Sequence, residues 1–338
     1  MTVLRGLQSL RAIAALGVVL FHAASRVGAP VLVGQAGVDV FFVISGFIMW
    51  MLGARCPQPT PAAFMSDRLL RIVPLYWLAT SVMLAGGKLH LFPNLVLTAP
   101  HTLASYFFIP WPSPSNGETW PLLVQGWTLN YEMLFYVLFA LALLLPRSRQ
   151  FGFVVGLLAM LAVAGLILRP TWAIGAFYTD PLLLEFAGGV CIGALWERGA
   201  LPSKRWAIGL AVVGGLSFCA QAVMPIHAPR VLIYGVPAVL LVLGVIALEQ
   251  AGTALTTPTL RLLGDASYSI YLFHTFAISL DITLFGRWGG VGVILVGLAS
   301  GALAGVIAYL LVERPLIGLF ADLRRRARRM NAPPMGGA

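Results

Sequence analysis

Residues 10–22 read LRAIAALGVVLFH, an apolar run with an arginine near its start and a histidine at its end. The two polar side chains, Arg11 and His22, are eleven positions apart, which is about three turns of α-helix. Both should therefore point from one face of the helix, separated by roughly 16 Å along its axis. Ionisable side chains inside a bilayer are costly and are usually retained for function. The stretch therefore predicts a membrane helix that carries functional groups in both leaflets.

The composition of the whole chain also indicates a membrane protein. Of the 338 residues, 59% are hydrophobic and only 10% are charged, whereas a soluble domain has about 25% charged residues. The mean hydropathy is +0.89. We therefore predict an all-α, polytopic integral membrane protein with about ten transmembrane helices of ~20 residues, the first being a retained span and not a signal peptide. The predicted spans are residues 7–26, 36–54, 70–87, 125–145, 150–168, 181–197, 206–224, 231–249, 266–285 and 290–312.

The basic residues are unevenly distributed between the two sets of loops. If the N-terminus lies inside, sixteen of the 22 Lys and Arg residues fall on the cytoplasmic side and five on the outer side. This bias predicts that both termini are cytoplasmic. We expect one transmembrane domain over residues 1–320 and a basic, disordered cytoplasmic tail over residues 321–338 that attracts anionic membrane lipids. The net charge of +10 comes with no nucleic-acid-binding motif, so no nucleic-acid partner is expected.

The longest break between predicted spans, residues 88–124, lies on the outer side and contains FFIPWPSPSNGETWP. Its proline and aromatic content resists regular structure, so we expect a short re-entrant or lid element. Trp111 and Trp120 in this segment suit either interfacial anchors or a stacking surface for sugar rings. Neither a disulfide framework nor a metal site is predicted from the spacing of the three cysteines, Cys56, Cys191 and Cys219.

Asp39 in GVDVFF is placed near the outer start of the second span, at a depth similar to that of His22. A carboxylate beside an imidazole fixes its tautomer and stabilises its protonated form, as a general base requires. The alternative is a buried pair that only holds two helices together. The presence of Arg11 on the same face as His22 favours the functional interpretation.

Arg68 and Arg71 in DRLLRIVPLYW are three residues apart at the cytoplasmic rim of the third span. On a helix they present two guanidinium groups to the same region, an arrangement that suits phosphate binding. Taken alone, the pair is more typical of arginines that anchor a helix on the positive side of the membrane.

Glu132 in WTLNYEMLFY lies about two turns inside the outer surface, with Thr128 one turn before it and Tyr136 one turn after. An acid in this position needs a cation, a substrate hydroxyl or a proton as its partner. We predict that Glu132 binds acceptor hydroxyls or helps a proton to leave. Other polar residues in the spans more often satisfy helix contacts than catalyse, namely Glu185, Ser267, Ser269, Tyr271 and His274. We expect Glu313 and Arg314 to pair with each other or with a neighbouring loop.

Six motifs in order along the chain together resemble the membrane-bound acyltransferase family 3. They are LRAIAALGVVLFH, GVDVFFVISGF, RLLRIVPLYW, WTLNYEMLFY, GDASYSIYLFH and VERP, and they extend from residue 10 to residue 315. QSLRAIAAL, GWTLNYEMLFY and DPLLLEFAGG are similar to the branch associated with O-acetylation of bacterial exopolysaccharide.

The resemblance implies an enzyme that takes an acyl group, usually acetyl, from acyl-CoA in the cytoplasm and delivers it to a sugar hydroxyl. In the family, the Arg and His of the first motif are essential, which corresponds to Arg11 and His22. The Arg-x-x-Arg element is linked to the CoA side, which corresponds to Arg68 and Arg71. Location in the bacterial inner membrane, a glycan or lipid-linked sugar as acceptor, and a polysaccharide synthesis machinery as partner are also implied, with no metal.

These residues and the resemblance together predict a reaction path. CoA phosphates bind Arg68 and Arg71, and the pantetheine arm passes Arg11 towards His22. His22, oriented by Asp39, removes the proton of the acceptor hydroxyl or is itself acylated first. Arg11 is expected on the cofactor side, because roughly 16 Å of helix axis separate it from His22. It would support the oxyanion only if the helix geometry brings it closer to the reaction.

Two other classes of protein deserve comparison with this prediction. Intramembrane Arg, His, Asp and Glu residues would equally suit a proton-coupled transporter or a flippase of a polar or lipid-linked substrate. Such a transporter has no reason to bind CoA, which separates the two hypotheses. A purely structural scaffold in a polysaccharide synthesis complex fits poorly with so many ionisable groups at membrane depth.

Overall fold

The structure, a computed structural model, describes residues 4–28, 31–224, 226–253, 256–285 and 290–330. These residues form helices and connecting segments without any strand, which confirms the all-α prediction. The α-helices are α1 Arg5–Ser25, α2 Ala36–Gly53, α3 Pro61–Lys88, α4 Ala99–Tyr106, α5 Trp127–Ala142, α6 Arg147–Leu168, α7 Ala173–Tyr178, α8 Leu183–Glu197, α9 Lys204–Val223, α10 Val236–Gln250, α11 Pro258–Asp265, α12 Ser267–Phe285, α13 Gly290–Ala308 and α14 Arg314–Met330. A π-helical turn precedes α10 at Val231–Gly235, and another joins α13 to α14 at Tyr309–Glu313.

Each of the ten predicted spans coincides with a helix, and α3 differs most from its predicted bounds. It begins at Pro61 and not at residue 70, because the hydroxyl of Thr60 caps it by accepting a hydrogen bond from the Ala63 N–H at 3.2 Å. Within the described residues, seven helical stretches are long and apolar enough to cross a membrane. The remaining predicted spans are α5, α8 and α12, which have 16, 15 and 19 residues. The count of ten spans therefore stays a prediction.

The second helix, α2, lies at the centre of the bundle. In its most apolar stretch 78% of the residues are buried, against 17% for α6 and α9 at the periphery. Contact between α2 and α8 is close because glycines face each other there. A Cβ atom at Gly46 would lie 2.1 Å from the carbonyl oxygen of Phe186, and one at Gly189 would lie 2.0 Å from that of Val43. At the centre of the molecule, the backbones of α2 and α8 therefore approach each other more closely than larger side chains at these glycine positions would allow.

The first helix, α1, is capped by another helix and not by its own flanking residues. The carboxylate of Glu249 near the end of α10 accepts hydrogen bonds from the backbone N–H groups of Arg5, Gly6 and Leu7 at 2.5, 2.7 and 3.3 Å. A carboxylate at a helix N-terminus pairs with free N–H groups and with the positive end of the helix dipole. This contact fixes the position of the helix that carries Arg11 and His22.

The outer segment between α3 and α5 packs into the bundle. The hydroxyl of Tyr76, in the middle of α3, donates to the carbonyl of Ser105 at 3.0 Å, and the buried His101 bonds the carbonyl of Trp120 through Nε2 at 2.8 Å. Side chains thus pair with carbonyl groups that lie in the last turn of α4 or outside regular helix. The expected re-entrant or lid element stays a prediction, and Trp111 and Trp120 are both partly exposed.

The C-terminal helix α14 continues to Met330, so the backbone is helical well into the segment expected to be a disordered tail from residue 321. The difference follows from the preceding sequence, because α13, the π-helical turn and α14 form one nearly continuous helical run. Residues 331–338, also part of the predicted tail, lie outside the described residues.

Candidate active site

A cavity of about 500 Å³ runs inside the bundle along α2. On that helix its lining extends from Val38 to Leu52, roughly 21 Å of helix axis. Hydrophobic side chains make up most of the wall. Charged side chains contributed by six elements also line it, namely Arg11, Arg55, Arg68, Arg71, Glu132, Asp265 and Glu313. The cavity therefore combines a long apolar passage with cations and carboxylates.

Arg68 and Arg71 both line this cavity from the first half of α3. The structure therefore brings the predicted Arg-x-x-Arg pair to one site. Arg71 is exposed and Arg68 is half-buried, and the Nε atom of Arg68 is buried without a hydrogen-bond partner. An unpaired buried donor is unfavourable unless an acceptor arrives, so Arg68 is suited to binding an anion.

Arg11 lines the same cavity from α1. Its Nη2 donates to the hydroxyl of Ser267 at 2.8 Å, and its Nη1 donates to the side-chain oxygen of Gln8 at 3.3 Å. Both of these partners are neutral, so the guanidinium charge is available to a negatively charged or strongly polarised group. The structure therefore brings Arg11 into the same cavity as Arg68 and Arg71, and its cofactor-side role stays a prediction.

Glu132 enters the cavity wall from α5. Its Oε1 accepts hydrogen bonds from Tyr136 at 2.6 Å and from Ser45 at 2.9 Å. Tyr136 was expected beside it on the helix, whereas Thr128 is directed elsewhere. Two donors on one oxygen orient the carboxylate, so Glu132 presents a fixed acceptor to the cavity.

The cavity ends at a small hydrogen-bonded cluster. The hydroxyls of Thr128 and Tyr271 lie 2.9 Å apart, and both donate towards the carbonyl oxygen of Gln125, at 3.1 and 3.0 Å. The side chain of Gln125 in turn donates to Thr275 on α12 at 2.5 Å. The segment that precedes α5 is thereby tied to α12 beside the cavity.

His22 does not line the cavity. It is half-buried, and its ring packs against the ring of His274 on α12 with centroids 5.1 Å apart. The ring of Tyr271, which does line the cavity, lies 6.3 Å from the ring of His274. His274 therefore lies between His22 and Tyr271 of the cavity wall.

Asp39 is bound to Arg230, so the predicted pairing of Asp39 with His22 is corrected. Its two carboxylate oxygens accept from Arg230 Nη2 at 2.6 Å and from Nε at 3.1 Å. Arg230 also donates to the side chain and the backbone carbonyl of Gln35, both at 3.1 Å. A guanidinium that engages both oxygens of a buried carboxylate is a stronger partner than a neutral imidazole, which explains the outcome.

Two further acids surround this ion pair. Glu185 is 1% exposed, neither of its carboxylate oxygens has a hydrogen-bond partner, and it interacts electrostatically with Arg230. Asp180, in the loop before α8, accepts from the Leu182 N–H at 2.8 Å. Burial raises the pKa of Asp180 above its ordinary value, while this hydrogen bond and the cation of Arg230 act in the opposite direction. The cluster is a compact polar region apart from the cavity.

Glu313 also lines the cavity and accepts from the hydroxyl of Ser269 at 2.5 Å. This contact replaces the expected pairing with Arg314, because Glu313 lies in the π-helical turn that faces α12. Among the residues that the structure describes, no group of three His, Cys, Asp or Glu side chains converges as metal ligands would.

Two residues that the sequence analysis gave little weight hold important positions. From the sequence, Arg230 is one of the five basic residues predicted on the outer side. His274 is predicted only to satisfy helix contacts. The signal for His274 was available, because it ends GDASYSIYLFH, one of the motifs that carry the family resemblance. Nothing in the spacing of the sequence indicated that Arg230 reaches Asp39, since 191 residues separate the two.

Comparison with known proteins gives a consistent result. The family model described as an acyltransferase domain matches residues 4–313. The exopolysaccharide production protein ExoZ of Rhizobium meliloti is 48% identical over 326 residues, covering 94% of this chain and 99% of that protein. BcsY of Komagataeibacter xylinus, named as a membrane-bound transacylase, is 30% identical and covers 92% of this chain and 82% of its own length. The O-acetyltransferase OatA of Staphylococcus aureus is 25% identical over 93% of this chain and 57% of its own length. No solved structure matches the chain significantly.

Proposed function

Because this chain belongs to the acyltransferase domain family and is therefore an acyltransferase, we propose that it moves an acetyl group from acetyl-CoA to a sugar hydroxyl. As acceptor we propose bacterial exopolysaccharide or its lipid-linked precursor, because the relative ExoZ is named for exopolysaccharide production. The chain is a multi-pass membrane protein, and we assign it to the bacterial inner membrane beside a polysaccharide synthesis machinery.

The observation that carries the donor assignment is the arginine-rich end of the cavity. Arg68 and Arg71 lie where the passage meets the end of the bundle that we predict to be cytoplasmic, and Arg68 keeps a buried donor without a partner. The phosphates of CoA match planar guanidinium groups, which bind them through paired hydrogen bonds. Binding the head of the donor here would direct its reactive end into the passage.

The shape of the passage supports a slender, uncharged chain. It follows α2 for roughly 21 Å and is lined by apolar side chains of that helix such as Ile44, Phe47 and Ile48. Arg11 lies beside it and offers a cation to the polar groups of the pantetheine arm or the thioester. We assign Arg11 to donor binding, together with Arg68 and Arg71.

For the chemical step we assign His22 as the base. It removes the proton of the acceptor hydroxyl, the oxygen bonds to the acyl carbon, the carbon–sulfur bond breaks, and the proton passes to the CoA thiolate. In the covalent version His22 carries the acyl group between donor and acceptor. Either version requires a path from the cavity to His22, because His22 does not line the cavity.

Two other assignments follow from the contacts. Glu132 projects into the cavity with its orientation fixed by Tyr136 and Ser45, so we assign it to an acceptor hydroxyl or to proton movement. Asp39 is committed to Arg230, and we therefore place it outside the chemical step. The role of orienting His22 then falls to another residue.

The donor assignment is tested by acetyl-CoA binding to the purified full-length protein in detergent. We expect Arg68→Ala and Arg71→Ala each to weaken binding by roughly tenfold, because each removes a charge-assisted contact worth about 1.5–3 kcal/mol. Arg149→Ala is the matched control, since Arg149 is an exposed arginine on α6 that does not line the cavity. Affinity that is unchanged in all three variants would refute the phosphate-binding role.

The same measurement addresses the transporter alternative. A proton-coupled transporter or flippase has no use for acetyl-CoA, whereas this chain is an acyltransferase. A parent protein that fails to bind acetyl-CoA would therefore refute the proposed donor and point to another acyl donor. Saturable binding that depends on Arg68 supports the transferase.

A further inference from the structure

We infer that His274 is a positioning residue that fixes the proton on His22, the role that the sequence analysis gave to Asp39. The inference rests on the proposed function, in which His22 is the base. It depends on three observations: the contact of His274 with a backbone carbonyl, its unpartnered ring nitrogen, and its packing against His22.

The hydrogen bonding of His274 determines its own tautomer. Its ring is fully buried, and its Nδ1 lies 2.9 Å from the carbonyl oxygen of Ile270, one turn earlier in α12. A carbonyl oxygen only accepts, so Nδ1 must carry a proton. In a neutral imidazole the other nitrogen, Nε2, is then an acceptor. This Nε2 is buried and has no hydrogen-bond partner.

The neighbour that can satisfy this acceptor is His22. The centroids of the two rings are 5.1 Å apart with an angle of 41° between the ring planes. Two imidazoles joined by an N–H···N hydrogen bond of ordinary length have centroids roughly 5 Å apart. The separation matches that of such a pair, and rotation of the His22 ring to direct an N–H at Nε2 of His274 would form the bond.

Close packing around His274 restricts the movement of its side chain. A Cβ atom at Gly301 of α13 would lie 3.1 Å from the Cβ of His274 and 2.9 Å from a methyl group of Val19 of α1. The absence of a side chain at Gly301 thus lets α13 hold α12 against α1 at this level. His274 is consequently a rigid acceptor beside His22.

A fixed acceptor on one side of His22 decides what its other ring nitrogen can do. With one N–H directed at His274, the second nitrogen of His22 is unprotonated and can take the proton of the acceptor hydroxyl. As the oxygen bonds to the acyl carbon and the thiolate leaves, His22 becomes an imidazolium whose N–H donates to His274. The imidazolium then returns the transferred proton to the thiolate. His274 contacts neither substrate.

The test compares variants that keep or remove an acceptor at position 274. We expect His274→Leu to slow acetyl transfer roughly 100-fold, the lower end of what a well-placed base supplies, with acetyl-CoA affinity unchanged. His274→Gln, whose side-chain oxygen can accept from His22, should recover most of the rate. His227→Gln is the control, because His227 is exposed and lies outside the site. Thermal unfolding of every variant establishes that each is folded.

A spectroscopic measurement on the parent protein keeps the inference testable if His274→Leu fails to fold. The ¹⁵N chemical shifts of labelled imidazoles, assigned with the His22→Gln variant, should show His22 in a single tautomer in the parent and in His274→Gln. A rapidly exchanging tautomer mixture in the parent would overturn the inference, as would parental rates in a folded His274→Leu variant or a folded His274→Gln variant as slow as His274→Leu. If His22→Gln retains the full transfer rate, the proposed function itself fails. If only His22→Gln is inactive, this inference alone fails.

Discussion

The carboxylate of Asp39 is fully buried, and the guanidinium of Arg230 balances its charge while 29% of the arginine side chain remains exposed. Removing one partner of such a pair leaves a buried charge or dipole without compensation, which costs about 3–5 kcal/mol when both partners are enclosed. Partial exposure of Arg230 reduces that cost, because water can solvate the free cation. The pair is therefore a structural contact between α2 and the π-helical turn before α10.

Replacing Asp39 separates this structural role from a catalytic one. We expect Asp39→Asn to reduce the free energy of unfolding by about 2 kcal/mol, because the bidentate ion pair is lost. The midpoint of thermal unfolding should fall accordingly. The transfer rate per folded molecule should stay within a few-fold of the parent.

One outcome would favour the prediction that Asp39 orients His22. If Asp39→Asn remained fully stable and lost acetyl transfer by 10³-fold or more, Asp39 would have to act on His22 after a rearrangement of the outer side. Activity normalised to folded protein distinguishes the two cases.

At the scale of the element, α1 depends on a carboxylate supplied by α10. Three N–H groups of its first turn bond to Glu249, and its own N-cap residue, Leu4, provides no side-chain cap. An uncapped first turn frays, and in α1 that turn lies less than two turns from Arg11. The contact therefore links the packing of α10 to the geometry of the donor site.

Glu249→Ala should destabilise the protein by about 1–2 kcal/mol, the usual cost of losing a helix cap, and should weaken acetyl-CoA binding through fraying of α1. Glu249→Gln should retain part of both properties, because its amide oxygen still accepts hydrogen bonds. Glu118→Ala is the control, since Glu118 is an exposed acid in the outer segment. Thermal unfolding and donor binding measured on the three variants check this. Unfolding of Glu249→Ala at the parental temperature would contradict the capping role.

At the scale of the whole molecule, hydropathy located the helices well but could not locate the partners of their polar residues. A membrane helix is recognised from about twenty consecutive residues, so the positions of α1, α2 and α6 follow from local sequence. The partner of His22 is 252 residues away at His274, and the rotation of α12 that brings them together depends on Gly301 and on neighbouring helices.

The lining of the cavity likewise could be predicted only in part from the sequence. That Arg68 and Arg71 share one face was readable from their spacing on a helix. Arg11 and Glu132 reach the same cavity, whereas His22 does not line it. This arrangement depends on how α1, α5 and α12 are positioned against one another, which no local sequence pattern specifies. The contact of Gln125, in the segment before α5, with Tyr271 of α12 likewise requires the assembled bundle.

The predicted topology is testable with native cysteines. Cys56 is exposed and follows α2, so we expect it on the cytoplasmic side. In a protein with Cys191→Ala and Cys219→Ala, a membrane-impermeant maleimide should label Cys56 in inside-out vesicles and not in intact cells. His227→Cys on a cysteine-free background should give the reverse pattern. Labelling of Cys56 in intact cells would invert the topology and place the arginine-rich end of the cavity outside.

The central claim is that an acyl donor enters from the arginine-rich end and is used by His22 on the opposite side. The most direct measurement supplies labelled acetyl-CoA to the outside of sealed inside-out vesicles that enclose exopolysaccharide, and follows label on the glycan. We predict transfer by the parent, a raised KM for acetyl-CoA in Arg68→Ala, and no transfer above background by a folded His22→Ala variant. Enclosed glycan labelled at the parental rate by His22→Ala would contradict the account.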